Sequence, residues 1–418
     1  MSDQTTPGVF RDLPFMGVIH VNNQAMLAGW KMGDPAWSNL GQGQPEVGEM
    51  AGAPPRFSNL QIDPADHAYG PVEGIPEYRQ AIADHYNRLF RQGKASKYTM
   101  HNVCVAPGGR AALTRLAATL DRTRLGYFTP DYTAYEDMLT TFARIEPVRI
   151  ELNAAQGFRI DPADLDQRVQ RDRLNALLIS NPCNPTGVAI RGDELGAWVR
   201  MARARRTVLL MDEFYSHFIY ARDTSGPVST AAHVGDVNED PVVIIDGLTK
   251  CFRYPGWRSG WIVAPEHIIR TLTAAGSFID GGASRPIQRA GIQVLSPARA
   301  DQETTALRTV FARKQQITVR ALREMGVRFP AEPVGTFYAF GDVSGLPAPI
   351  NTGEGFMREG FKHRVLTVPG EFFDVDPGRT RLGTSRLAGM VRFSFGPPQD
   401  NLEAGLGRLA EMVRKHRG

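Results

Sequence analysis

The sequence predicts an α/β fold: a mainly parallel, doubly wound sheet in a large domain, followed by a smaller α+β domain. Three observations carry this. Short apolar runs at 125–129, 176–180, 208–211 and 242–245 each end in polar residues, as buried strands do. Helical patterns intervene, notably at 192–204, and strands that alternate with helices build parallel sheets. At 418 residues the chain has length for two domains of roughly 100–200 residues each.

Taken in order, residues 1–57 are rich in Gly, Pro and Asn, lack sustained periodicity, and read as an extended arm. Within it, Asn39-Leu40-Gly41-Gln42-Gly43-Gln44-Pro45 allows close backbone approach to a ligand, although a plain loop fits equally. From 75 to 90 the apolar residues Tyr78, Ile82, Tyr86 and Leu89 recur at three- and four-residue steps, predicting an amphipathic helix. A strand at 103–105, the turn Pro107-Gly108-Gly109-Arg110 and a helix at 111–120 follow. Such a turn leaves backbone N–H groups free at a positive helix end, which favours phosphate; a purely structural turn is the alternative.

The next runs end at Pro130-Asp131-Tyr132, at Asn181-Pro182-Cys183-Asn184-Pro185-Thr186-Gly187, at Asp212-Glu213-Phe214-Tyr215, and just before Lys250, with Arg258 eight residues on. Ligands of doubly wound sheets sit beyond the carboxyl ends of the strands, so Asn184, Asp212 and Lys250 are expected to converge there. A strand at 260–264, the segment Asp280-Gly281-Gly282-Ala283-Ser284-Arg285-Pro286 and a long helix at 297–325 lead to the second domain. It holds strand-like pieces at 335–340, 365–370 and 390–395 and a closing helix to about 414. The expected division is 1–57 as arm and part of the small domain, 58–300 as the large domain, and 301–418 as linking helix and small domain.

Composition removes several classes. Hydrophobic content of 42% with 22% charged residues is that of a globular chain, neither disordered nor fibrous. Net charge is +4, and Lys and Arg are interspersed with acids, so no nucleic-acid tract stands out. No apolar run nears the roughly 20 residues that span a bilayer. The polar N-terminus carries no secretory signal, and Cys104, Cys183 and Cys251 form no Cys-x-x-Cys pair, so a cytoplasmic protein is expected. Zinc peptidase, serine hydrolase and nucleotide triphosphatase motifs are missing, and no metal site is expected.

Together, the 181–187 motif, Asp212-x-x-Tyr215, Lys250 and Arg258 resemble the fold-type I pyridoxal-phosphate enzymes, and within them the class I/II aminotransferases, over residues 39–395. The resemblance implies pyridoxal 5′-phosphate as cofactor, an amino acid and a 2-oxo acid as small-molecule partners, ping-pong transfer, and a homodimer with composite sites. It assigns Lys250 to the Schiff base (the aldimine) and to proton movement at Cα, which requires an amine of low pKa. Asp212 is assigned to the pyridinium nitrogen, Asn184 and Tyr215 to the phenolic oxygen, and Tyr132 to the ring face. Gly108, Gly109, Thr249, Arg258 and a neighbouring subunit's Tyr69 are assigned to the cofactor's phosphate end. Arg392, with Asn184 and the Gly43 backbone, takes the substrate carboxylate. Taken singly, each has an ordinary structural reading, as helix cap, core aromatic or ion pair.

The chain departs from the pattern at two places. Gly247 stands where many relatives carry a phosphate-binding serine, and Arg110 stands near where a hydroxyl is common; Arg110 is expected to replace the lost contact. In dicarboxylate-specific members an arginine from the partner subunit, a few residues before a Ser-x-Pro, neutralises the side-chain carboxylate, whereas Asp280 precedes Ser284-Arg285-Pro286 here. A substrate-facing Asp280 would disfavour aspartate and accept neutral or cationic side chains. Elimination, replacement and cyclisation begin with the same Cα deprotonation and remain the alternative. A regulatory module with an N-terminal helix-turn-helix has no room in the first 57 residues.

Overall fold

The computed structural model describes residues 13–418. Its helices are α1 (Gly17–Leu27), α2 (Pro76–Phe90), α3 (Gly109–Thr119), α4 (Tyr135–Thr141), α5 (Pro162–Arg171), α6 (Gly192–Arg205), α7 (Glu266–Ile279), α8 (Arg285–Val294), α9 (Pro297–Glu324), α10 (Gly353–Lys362) and α11 (Gln399–Arg417). Its strands are β1 (Ser38–Asn39), β2 (Val103–Ala106), β3 (Thr123–Thr129), β4 (Ile145–Glu151), β5 (Ala176–Ser180), β6 (Val208–Asp212), β7 (Val242–Gly247), β8 (Gly260–Val263), β9 (Tyr338–Asp342), β10 (Val365–Leu366), β11 (Val368–Pro369) and β12 (Met390–Ser394).

Seven strands form one sheet in the order β2-β8-β7-β6-β5-β3-β4, and β8 alone runs against its neighbours. The expected doubly wound, mainly parallel sheet is therefore present. Every residue of β5 and β7 is buried, because helices cover both faces and leave no polar side to alternate with. The chain passes from β3 outward to β4 and then back across β3 to β5. That reversal opens a crevice between the carboxyl ends of β3 and β5.

A smaller antiparallel sheet, β11-β12-β9, holds Arg392 opposite Phe340. The long helix α9 leads into it and would span about 42 Å at 1.5 Å per residue. The two residues of β1 pair in parallel with β10, which draws the early chain beside the late one.

The expectation of an extended arm over residues 1–57 needs correction, because Gly17–Leu27 is helical. Val21 and Ala25 turn inward while Ile19, Met26 and Leu27 face outward, so the apolar residues do not keep to one face and mark no period. Met1 to Asp12 lie outside the described residues.

Candidate active site

A cavity of about 1070 Å³ lies at the carboxyl ends of β5 and β6. Its wall is assembled from α1, the segment around Asn39–Gln44, the first turn of α3, the loops after β3, β5 and β7, and Arg392 of β12. Lys250, Asp212, Asn184, Tyr215, Tyr132, Gly109, Arg110, Thr249, Arg258, Gly43 and Arg392 all line it. These residues span more than 340 positions of sequence, from Gly43 to Arg392.

Lys250 follows β7, and its Nζ donates to the Gly43 carbonyl. Burial lowers its pKa to about 7, helped by the positive charges of Arg392, Arg110 and Arg258 and opposed by Asp212. Asp212 closes β6 and accepts from the Tyr135 hydroxyl at 2.9 Å. Burial pushes its carboxyl up to about 6, while the Tyr135 and Phe214 hydrogen bonds and Lys250 pull it back. The ionised form is therefore favoured at neutral pH by the Tyr135 and Phe214 hydrogen bonds and by Lys250 against the cost of burial. Tyr215 and Tyr338 share a hydrogen bond at 3.1 Å.

Arg392 is nearly fully buried, and its fork is partly committed. One Nη donates to Asn184 Oδ1 and the other to the Gly41 carbonyl, each at 2.9 Å. Its Cζ lies 4.0 Å from the Tyr338 ring centroid and 5.0 Å from that of Phe373. The Nε is buried with no hydrogen-bond partner, as is Thr249 Oγ1 on the same cavity wall. Unpaired buried polar atoms are costly unless a ligand meets them.

The other end of the cavity is a cationic cup. Gly108 has φ +96°, and a Cβ there would lie 2.3 Å from Arg258 Nη2, so only glycine lets that guanidinium in. Arg110 stands in the first turn of α3 and donates through Nε to the Tyr132 hydroxyl at 3.2 Å. Gly247 has no room for the serine its position suggests: a Cβ would sit 2.5 Å from the Ser259 carbonyl oxygen and 3.0 Å from the Phe214 ring.

Tyr69, Gly43 and Asp280 stand apart from this set. Tyr69 is fully exposed and away from the cavity of its own chain. Gly43 lines the cavity, and its carbonyl oxygen accepts from Lys250. Asp280 is the clearest correction to the reading of its carboxylate as free for a substrate. Arg115 Nε and Nη2 hold it at 2.9 and 2.5 Å, and it caps the Gly282 N–H, so it serves as half of a structural ion pair.

Sequence reasoning missed Tyr135, Tyr338, Phe214 and the α1 wall. Tyr135 lay three residues from an expected ring-facing tyrosine, one helical turn away, which was its available signal. Nothing local marked Tyr338 or Phe214, because their roles come from chain segments far away.

A model of the family described as aminotransferase class I and II matches residues 35–409. The aspartate aminotransferase of Pyrococcus horikoshii is 25% identical over 347 residues, which cover 82% of this chain and 83% of that protein. The aspartate/prephenate aminotransferase of Thermus thermophilus is 28% identical over 352 residues, with coverage of 82% and 83%. A solved double mutant of Thermus thermophilus aspartate aminotransferase superposes with a TM-score of 0.78 at 23% identity, over 98% of this chain and 100% of that one.

Proposed function

The chain belongs to the class I and II aminotransferases, pyridoxal-phosphate enzymes, and from that membership we propose that the cavity beyond β5 and β6 is where its amino transfer takes place. The residues present fit the cofactor. Arg258, Arg110, the α3 turn and the unpartnered Thr249 hydroxyl suit a phosphate, and Asp212, Asn184 and Tyr215 suit the polar edge of a pyridine ring. When bound, pyridoxal 5′-phosphate supplies a ring that accepts the electron pair left at Cα after deprotonation.

Each residue then has a task. Lys250 would hold the cofactor through an amine that loses its proton near pH 7, and its free amine would serve as the base for the Cα proton. Asp212, held by Tyr135, stays negative and keeps a proton on the ring nitrogen. Asn184 and Tyr215 hydrogen-bond the phenolic oxygen, and Tyr132 covers the ring face. Arg392 offers its free Nε to the substrate α-carboxylate, oriented by Asn184 and the Gly41 carbonyl. The observation that carries this reading is the convergence of Asn184, Asp212, the Lys250–Arg258 loop and Arg392 from four separate stretches on one cavity.

Charge on the wall narrows the donor. Arg110 and Arg258 face the phosphate end, and Arg392 serves the α-carboxylate, which leaves Asp34 and Asp400 as the remaining charges. Neither forms an ion pair among the described residues. Among the described residues of this chain no further cation lines the cavity for a second carboxylate, so the donor is read as an amino acid with a neutral or cationic side chain. The working unit is read as a cytoplasmic homodimer in which Tyr69 reaches the neighbouring subunit's phosphate. Residues 58–300 are read as its cofactor-binding domain, between an arm at 1–57 and a small domain at 301–418.

Single-turnover spectra with a panel of donors test this. A productive donor should yield one equivalent of 2-oxo acid and leave the amino form of the cofactor. Ammonia release in its place would mark elimination, and aspartate as the best donor would overturn the charge argument.

A further inference from the structure

One buried carboxyl near the cavity has no task in this scheme. Asp131 follows β3 and is fully buried at the crevice where the strand order reverses between β3 and β5. Its Oδ1 accepts from the Tyr132 backbone N–H at 2.7 Å and from the Ser180 hydroxyl; its Oδ2 accepts from the Ser180 N–H at 3.1 Å. The Ser180 hydroxyl oxygen in turn accepts the backbone N–H of Asn184 at 3.1 Å. The backbone N–H of Asp131 donates to the carbonyl of Phe373, whose ring lies beside Arg392.

One side chain thus reaches Tyr132, and Asn184 through a single hydroxyl, while its backbone holds Phe373. All three groups that contact the carboxyl are donors. A carboxylate is acceptor-only and satisfies them, whereas an asparagine would turn an N–H against the Ser180 or Tyr132 N–H. Burial, and to a lesser extent Asp212, push the Asp131 carboxyl up, while the three hydrogen bonds from Ser180 and Tyr132 pull it down because only the ionised form accepts all of them.

We propose that Asp131 is a positioning residue for the transamination: through the backbone N–H of Tyr132 and the Ser180 relay to the backbone N–H of Asn184 it fixes the two segments that carry the stacking tyrosine and the asparagine side chain beside the cofactor. This rests on the cavity being the cofactor site.

The test uses the holoenzyme with Asp131→Asn and Ser180→Ala. Cofactor content, kcat and KM for one donor, and the pH midpoint of the bound cofactor's absorbance change are measured. Asp131→Asn should keep its cofactor and show kcat reduced by about tenfold or more with KM within about twofold, the pattern of misplaced reacting groups. Its absorbance midpoint should be displaced, and Ser180→Ala should displace it in the same direction by less. Wild-type kcat and midpoint in Asp131→Asn would overturn the proposal, as would a loss of activity only in proportion to lost cofactor. If Asp131→Asn does not fold, Ser180→Ala decides alone: a displaced midpoint with lowered kcat supports the relay, and wild-type behaviour overturns it. Wild-type protein with no cofactor band would instead defeat the cavity assignment, leaving the two failures distinguishable.

Discussion

The Lys250 amine is a nucleophile only without its proton, and burial among Arg392, Arg110 and Arg258 brings its pKa down to about 7. Uptake of pyridoxal phosphate by cofactor-free protein is therefore expected to quicken as pH rises through about 7 and then level off, followed by stopped-flow absorbance. A rate that falls over this window would contradict the assignment. Arg110→Ala removes one of the three cations and should move that midpoint upward. It should also weaken cofactor binding by about tenfold or more, since a hydrogen bond to a charged group is worth about 1.5–3 kcal/mol. Unchanged affinity in a titration would rule Arg110 out as the substitute for the missing serine. At this scale the sequence offered residue types and their order, but Asp280 shows the limit. Its carboxylate belongs to Arg115, which lies 165 positions away, and no local pattern announces a partner at that distance.

Among the elements, the end of β7 and the start of β8 are drawn together at a pair of glycines, Gly247 opposite Gly260. A Cβ on Gly260 would lie 2.8 Å from Gly109 N, so the α3 turn rests directly on this pair. Gly247→Ser should destabilise the fold by about 1–3 kcal/mol, as overpacking does, and should not tighten cofactor binding. Thermal unfolding and a cofactor titration check this; an unchanged Tm with tighter binding would show that the strands can part. Strands β5, β6 and β7 were legible because burial on both faces leaves continuous apolar runs. The edge strand β4 was not, since Glu146, Pro147 and Glu151 interrupt it and only the parallel ladder to β3 makes it a strand. Helix α1 was hidden because its apolar residues divide between the buried positions Val21 and Ala25 and the exposed positions Ile19, Met26 and Leu27.

For the molecule as a whole, Leu60, Ile62, Tyr69 and Phe278 leave large apolar or aromatic side chains in solvent, with Tyr69 100% exposed. If Tyr69 completes a neighbouring subunit's phosphate site, light scattering should give twice the 46.1 kDa chain mass. Tyr69→Phe should then weaken cofactor binding and leave that mass unchanged; a fully active monomer would refute the composite site. The sequence by itself determined the layered α/β architecture and the kinds of groups at the strand ends, because period and burial are written locally. Only the tertiary structure decided how those groups are shared: Arg392 with Asn184, Asp212 with Tyr135, Asp131 with Ser180, and Gly247 closed against β8. Hydrogen-bond partners and steric room depend on segments that meet only when the chain packs, so neighbouring residues carry no record of them.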